Sequence, residues 1–187
     1  DGYSAHFFKA TWDIIGHDVI KAILNFFKHN KLSGIIATRL ALIPKTQQPS
    51  SVTQFRPIAC CNVIYKIISK IMAARMKHVL ATTISHNQSA FLPHRDITDN
   101  ILLSNELLRG YNRNNISARC VMKLDVQKAY DTISWKSIIY ILYKMNFPAP
   151  FLAWIFTCIS TVKFSISQNG TIFGYFHATR GIRQGDP

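Results

Sequence analysis

At one place in the chain an acid follows directly on a compact apolar run: Val121-Met122-Lys123-Leu124-Asp125-Val126. A carboxylate at the end of a strand has a fixed backbone and an open side, which makes a good seat for a metal ion. Mg²⁺ takes hard oxygen ligands and keeps waters and substrate phosphates in its shell, so one or two protein carboxylates suffice. Asp is equally at home in a turn or helix cap, and spacing alone leaves both readings of Asp125 open. No Asp-Asp pair occurs in the sequence. The cysteines Cys60, Cys61, Cys120 and Cys158 show no C-x-x-C pair and no His at zinc-finger spacing. Neither a metal knuckle nor a disulfide framework is indicated, and a reducing compartment is expected.

The second chemical signal is charge. The 187 residues carry 22 Lys+Arg against 9 Asp+Glu, a net +13. From Val19 through Arg95 there are eleven Lys/Arg and no Asp or Glu. Such a stretch lacks internal ion-pair partners and projects a positive field, so a polyanion is the natural partner. An ordinary basic surface is the bland alternative. An anionic membrane is a weaker one, because neither end carries a lipidation signal. No uncharged apolar run approaches the roughly 18 residues needed to span a bilayer, and no basic-then-apolar leader is present. An intracellular protein, in cytoplasm or nucleus, is expected.

These groups must be positioned by a mixed set of elements. Apolar residues at helical spacing mark helices over His17–His29, stopped by Ser33-Gly34, and over Asn62–Leu80. In the latter, Ile64, Ile67, Ile68, Ile71, Met72 and Val79 form an apolar stripe, and Lys66, Lys70 and Lys77 share another face. That face can meet phosphate or simply solvent. Further helices are expected over Thr98–Leu108, capped by Asp96 or Thr98 and stopped at Gly110, and over Trp135–Met145 and Pro150–Ile159. Strands are expected over Thr38–Ile43, followed by a polar loop over Thr46–Thr53, and over Cys120–Val126. Val162–Ser167 and Thr171–Phe176 flank Asn169-Gly170 and read as a hairpin. The fold class is α/β or α+β.

Two segments carry a resemblance. LDVQKAYDTISW (Leu124–Trp135) resembles the A motif of reverse transcriptases from non-LTR, LINE-type retrotransposons. GIRQGDP (Gly181–Pro187), about fifty residues downstream, resembles the start of the same family's B motif. Upstream, DGYSAHFFK (Asp1–Lys9), LALIPK (Leu40–Lys45), FRPIACCNVIYKIISKIMAARMK (Phe55–Lys77) and QSAFLPHRDITDNILLSNEL (Gln88–Leu107) look like its finger segments, with a likeness to elements abundant in plant genomes.

The resemblance implies a right-hand polymerase with helices packed on a small antiparallel sheet. Residues 1–115 would be fingers and residues 116–187 a partial palm. It implies an RNA-directed DNA polymerase that takes an RNA template, a DNA primer and deoxynucleoside triphosphates, and uses two Mg²⁺ or Mn²⁺ ions. Asp125 would bind the metal pair, with the backbone carbonyl of Val126 as a further oxygen ligand. Tyr130 matches the aromatic that excludes a ribose 2′-hydroxyl, the alternative being a core tyrosine. Gln184 and Gly185 match residues lining the nucleotide pocket. Lys45 and Arg56 match finger residues that contact the triphosphate, and contact with the template or primer backbone is the other reading. Asp131 and Asp186 read as structural acids, and Arg95 and Asp99 as an ion pair or cap. The family's remaining metal-binding aspartates lie beyond the B motif, so the chain is expected to be a fragment that does not polymerise alone. Two other readings stay open: a non-enzymatic nucleic-acid-binding remnant, and an intron-encoded maturase or other cellular reverse transcriptase.

Overall fold

The computed structural model describes residues 3–32, 37–111, 117 and 120–186. Its elements run α1 (Ala5–Ala10), α2 (Trp12–His29), β1 (Ala37–Pro44), a 3₁₀ turn (Val52–Gln54), β2 (Phe55–Cys60), α3 (Val63–Thr83), α4 (Ile97–Leu108), α5 (Ala129–Thr132), α6 (Trp135–Lys144), α7 (Ala149–Ser160), β3 (Lys163–Gln168) and β4 (Thr171–His177). The expected mixed class is what forms. The chain divides into two compact units, Asp1–Ala73 with Lys128–Pro187, and Ala74–Gln127.

In the first unit one four-stranded sheet has the order β2-β1-β3-β4. The pairs β1/β2 and β3/β4 are antiparallel, but β1/β3 is parallel, from Ala37↔Lys163 to Ala41↔Ser167. The small sheet is therefore mixed and not purely antiparallel. A parallel pair needs a long crossover, and the chain between β1 and β3 supplies one. β2 carries little sequence signal because Pro57 counts against a strand. Its place at the sheet edge resolves this, since an edge strand can spare the N–H that proline lacks. In the hairpin, Asn169 (φ 50°) and Gly170 (φ 80°) both take left-handed backbone, the requirement of a two-residue type I′ turn.

All buried apolar side chains among the described residues belong to this unit. Phe26 of α2 is 1% exposed and Ile68 of α3 is fully buried. Trp154 of α7 donates to the Phe27 carbonyl at 3.1 Å and meets the Phe27 ring edge-on at 4.9 Å. α2 starts earlier than its apolar spacing marks, at Trp12, and ends at Asn30 in left-handed backbone (φ 54°). The expected stop at Ser33-Gly34 lies outside the described residues. α3 begins where the Asn62 side chain accepts from the Tyr65 N–H at 2.9 Å, a standard N-cap contact.

The second unit is organised by polar bonds. The Arg95 guanidinium donates to the carbonyls of Ala81, Ile84, Ser85 and Gln88 at 2.5–3.2 Å, closing the end of α3 and the turn beyond it. Asp96 caps α4, accepting from Thr98 N at 2.9 Å, and that bond, with the Thr98 hydroxyl, holds its carboxyl below the usual range. Of the cap and ion-pair readings for Arg95, the cap is the one that forms.

The strand expected over Cys120–Val126 does not. Residues 120–126 lie outside helix and strand, and Val121, Met122 and Leu124 are 66–83% exposed. A strand exists only with a ladder partner, and every described strand belongs to the other unit.

Candidate nucleotide pocket

Beyond β4 the chain returns to the segment that opens α6, and a set of short bonds ties the two together. Gly181 N donates to Ile133 O at 2.8 Å, Ile182 N to Tyr130 O at 2.7 Å, and the Trp135 indole N–H to Gly181 O at 2.6 Å. Gly181 sits at φ +87°, and a Cβ there would lie 2.8 Å from Tyr130 O and 3.0 Å from Asp131 O. Only glycine admits both that backbone and that approach. The tail of one motif and the head of the other thus form one strapped corner.

That corner walls a cavity of about 190 Å³. Tyr130, Asp131 and the run Arg180–Gln184 line one side, and Leu40, Pro57, Ala59, Phe164 and Phe176 of the sheet, with Ile159, line the rest. Phe164 and Phe176 face each other with centroids 5.8 Å apart. Tyr130 remains 45% exposed at the rim. The half-buried Gln184 is held by its own backbone, its carbonyl accepting from Ala59 N at 2.9 Å on the free edge of β2. Gly185, at φ +94°, passes so close that a Cβ would stand 3.3 Å from the Ile58 side chain.

A buried ionic cluster lies behind the Gln184 turn. Arg183 and Asp186 pair at 3.1 Å with side chains only 6% and 13% exposed. The Arg183 guanidinium lies 4.0 Å over the Tyr65 ring, bonds the Tyr65 hydroxyl, and donates to Cys158 O at 3.1 Å. Asp186 also accepts from the Ser69 hydroxyl at 3.2 Å. Burial pushes the Asp186 carboxyl up, while Arg183, Ser69 and Lys66 pull it back. Burial likewise raises the Cys61 thiol, and pushes the Cys158 thiol up to about 12 with help from the Asp186 charge.

Of the residues singled out in the sequence, Tyr130 and Gln184 are brought to one cavity and Gly185 beside it. Lys45 and Arg56 are not among its walls. The Lys45 ammonium donates to Thr53 O at 2.9 Å, back onto its own loop. Arg56 is exposed and alternates with Pro57, a wall residue, so it points to the opposite face of β2. Lys66 is half-buried beside the ionic cluster, Lys70 is exposed, and Lys77 is exposed in the second unit. Asp125 and Val126 lie in that second unit on its exposed, unpaired run. Asp131 lines the cavity and Asp186 anchors the cluster. Sequence reasoning passed over Arg183, Tyr65, Phe164 and Phe176. The one legible sign was an Arg and an Asp placed i, i+3 around Gln-Gly.

Among the described residues no group of three or more His, Cys, Asp or Glu could hold a metal ion. None of the helices there is long and apolar enough to cross a membrane. A family model described as reverse transcriptase (RNA-dependent DNA polymerase) matches residues 43–187. The chain is 30% identical over its whole length to the transposon TX1 uncharacterized 149 kDa protein of Xenopus laevis. It is 28% identical over 80% of its length to the retrovirus-related Pol polyprotein from the type-2 retrotransposable element R2DM of Drosophila melanogaster. To the Pol polyprotein from the type-1 retrotransposable element R2 of Nasonia vitripennis it is 26% identical over 95% of its length. It spans only 14%, 14% and 17% of those proteins.

Proposed function

Because the chain belongs to the reverse transcriptase (RNA-dependent DNA polymerase) family, we propose that it forms the fingers (residues 1–115) and the first part of the palm (residues 116–187) of a retroelement polymerase. In the parent protein this region would copy an RNA template from a DNA primer with deoxynucleoside triphosphates. The observation that carries the reading is the shared cavity: Tyr130 and Gln184, distant in sequence, line one pocket whose corner is strapped by three hydrogen bonds. At about 190 Å³ it is smaller than the roughly 300 Å³ and upward of sites that enclose a whole ligand, so it holds part of a nucleotide. Phe164, Phe176 and Leu40 offer an apolar surface to a flat base or sugar, and the Tyr130 ring at the rim supplies bulk where a 2′-hydroxyl would enter.

The family uses divalent metal ions, and Asp125 with the Val126 carbonyl is our choice for its oxygen donors in this chain. One exposed carboxylate, with no ligating cluster among the described residues, falls short of a metal pair. Further ligands would have to come from outside these residues, and the greater length of the relatives leaves room for them. Phosphate contact by Lys45 and Arg56, and backbone contact by Lys66, Lys70 and Lys77, belong to the same reading and rest on charge.

The test is sugar selection. In the full-length parent protein, Tyr130→Ala is expected to raise ribonucleotide incorporation relative to deoxynucleotide by about tenfold or more, a change of about 1.4 kcal/mol in discrimination. Unchanged selection removes Tyr130 from the gate. The exposed, unpaired setting of Asp125 favours a second reading for the isolated chain, a basic nucleic-acid binder without turnover. That reading predicts salt-sensitive binding by the 187-residue chain and fails if the chain alone extends a primer.

A further inference from the structure

Gln184 and Gly185 are the central residues of a tight turn, and the residues at its two ends, Arg183 and Asp186, are joined to each other by the buried 3.1 Å ion pair. An ion pair across the ends of a turn fixes the spacing of those ends. This one is further fixed from outside. Arg183 is stacked on Tyr65 and bonded to the Cys158 carbonyl at the end of α7, and Asp186 is bonded to Ser69 of α3. Among the described residues the turn is also tethered through its backbone, Ala59 N to Gln184 O. Burying a guanidinium and a carboxylate is costly, and only close pairing and further hydrogen bonds offset it. A turn needing only stability would be served as well by apolar ends, so the ionic arrangement points to a demand for fixed geometry.

We propose that Arg183 and Asp186 are positioning residues that lock the turn so that Gln184 faces the nucleotide pocket, anchoring it to α3 and α7. The proposal rests on the reading of Gln184 as a pocket residue. Arg183 forms part of the cavity wall, but its guanidinium is engaged by Tyr65, Asp186 and the Cys158 carbonyl, and the Asp186 carboxylate by Arg183 and Ser69, so neither charge is free to act on a substrate. Their effect passes through Gln184.

The experiment is a double-substitution cycle in the full-length parent protein on a primed RNA template, reading KM for the deoxynucleotide and kcat separately. Asp186→Asn keeps the shape and the Ser69 acceptor but removes the charge. It is expected to raise KM by about tenfold with a much smaller change in kcat. Placed on a Gln184→Ala background, the same substitution is expected to change KM by less than about twofold, because the residue it positions is gone. Equal KM losses on both backgrounds mean a general structural role and overturn the proposal, as does a KM unchanged on both. If Gln184→Ala alone leaves KM at its wild-type value, the pocket reading of Gln184 falls and the proposal with it. If Gln184→Ala raises KM but the losses add, the proposal alone falls. Should Asp186→Asn not fold, Ser69→Ala takes its place in the cycle, with non-additivity expected at a smaller size and additivity contradicting it.

Discussion

At the scale of single residues, the chain shows how much a motif asks of its glycines. Gly181 is held at φ +87° with two carbonyls crowding the place of its missing side chain. Gly181→Ala would force both a left-handed alanine and a clash with the Tyr130 carbonyl at 2.8 Å. A cost on the order of 2 kcal/mol in unfolding free energy follows, together with a loosened Tyr130. A denaturant midpoint that does not move would contradict it. By contrast, Gly170 has open space around it, so alanine there meets only its left-handed backbone. Tyr130, Gln184 and Gly185 of this corner were legible in advance, marked by motif, as was Asp125 in the other unit. Arg183 and Tyr65 were not. A cation stacked on a tyrosine 118 positions away leaves no local pattern, because the contact is made by the packing of α3 against the last turn of chain.

At the scale of elements, helices with regular apolar spacing were readable, as α3, α4, α6 and α7 show within a few residues. The hairpin was readable because Asn-Gly dictates its turn. β2 and the segment around Asp125 were not, and for opposite reasons. β2 has a proline but an available partner in β1, with Leu42 opposite Pro57. Residues 120–126 have strand-like composition and no partner among the described strands. Pairing, which lies outside the segment, decides each case. α7 carries a titration consequence. Burial raises the Cys158 thiol from the ordinary 9.0 to about 12. The folded chain keeps a proton that the unfolded chain gives up first, so this contribution to stability is whole below pH 9 and lost as pH rises toward 12. The expected measurement is an alkaline fall in stability over that range, reduced by Cys158→Ala. At pH 8 a thiol reagent should label exposed Cys120 well before buried Cys158 and Cys61. Equal labelling rates in the native protein would contradict it.

At the scale of the whole molecule, the two units are built on different principles. The first buries Phe26, Ile68 and the α7 side chains in a packed core around the sheet. The second, which carries Asp125, buries no apolar side chain among the described residues and relies on the Arg95 guanidinium and helix caps. The net +13 charge belongs to neither motif, yet it suits the polyanionic template the family copies. The most direct measurement is therefore primer extension on an RNA template by the full-length parent protein carrying Asp125→Asn, with template-primer affinity measured in parallel. Incorporation at least about a thousandfold below wild type, an increase of about 4 kcal/mol in barrier, with affinity for template-primer retained, is the result expected of a polymerase whose metal ligand is Asp125. Extension within about tenfold of wild type would contradict it.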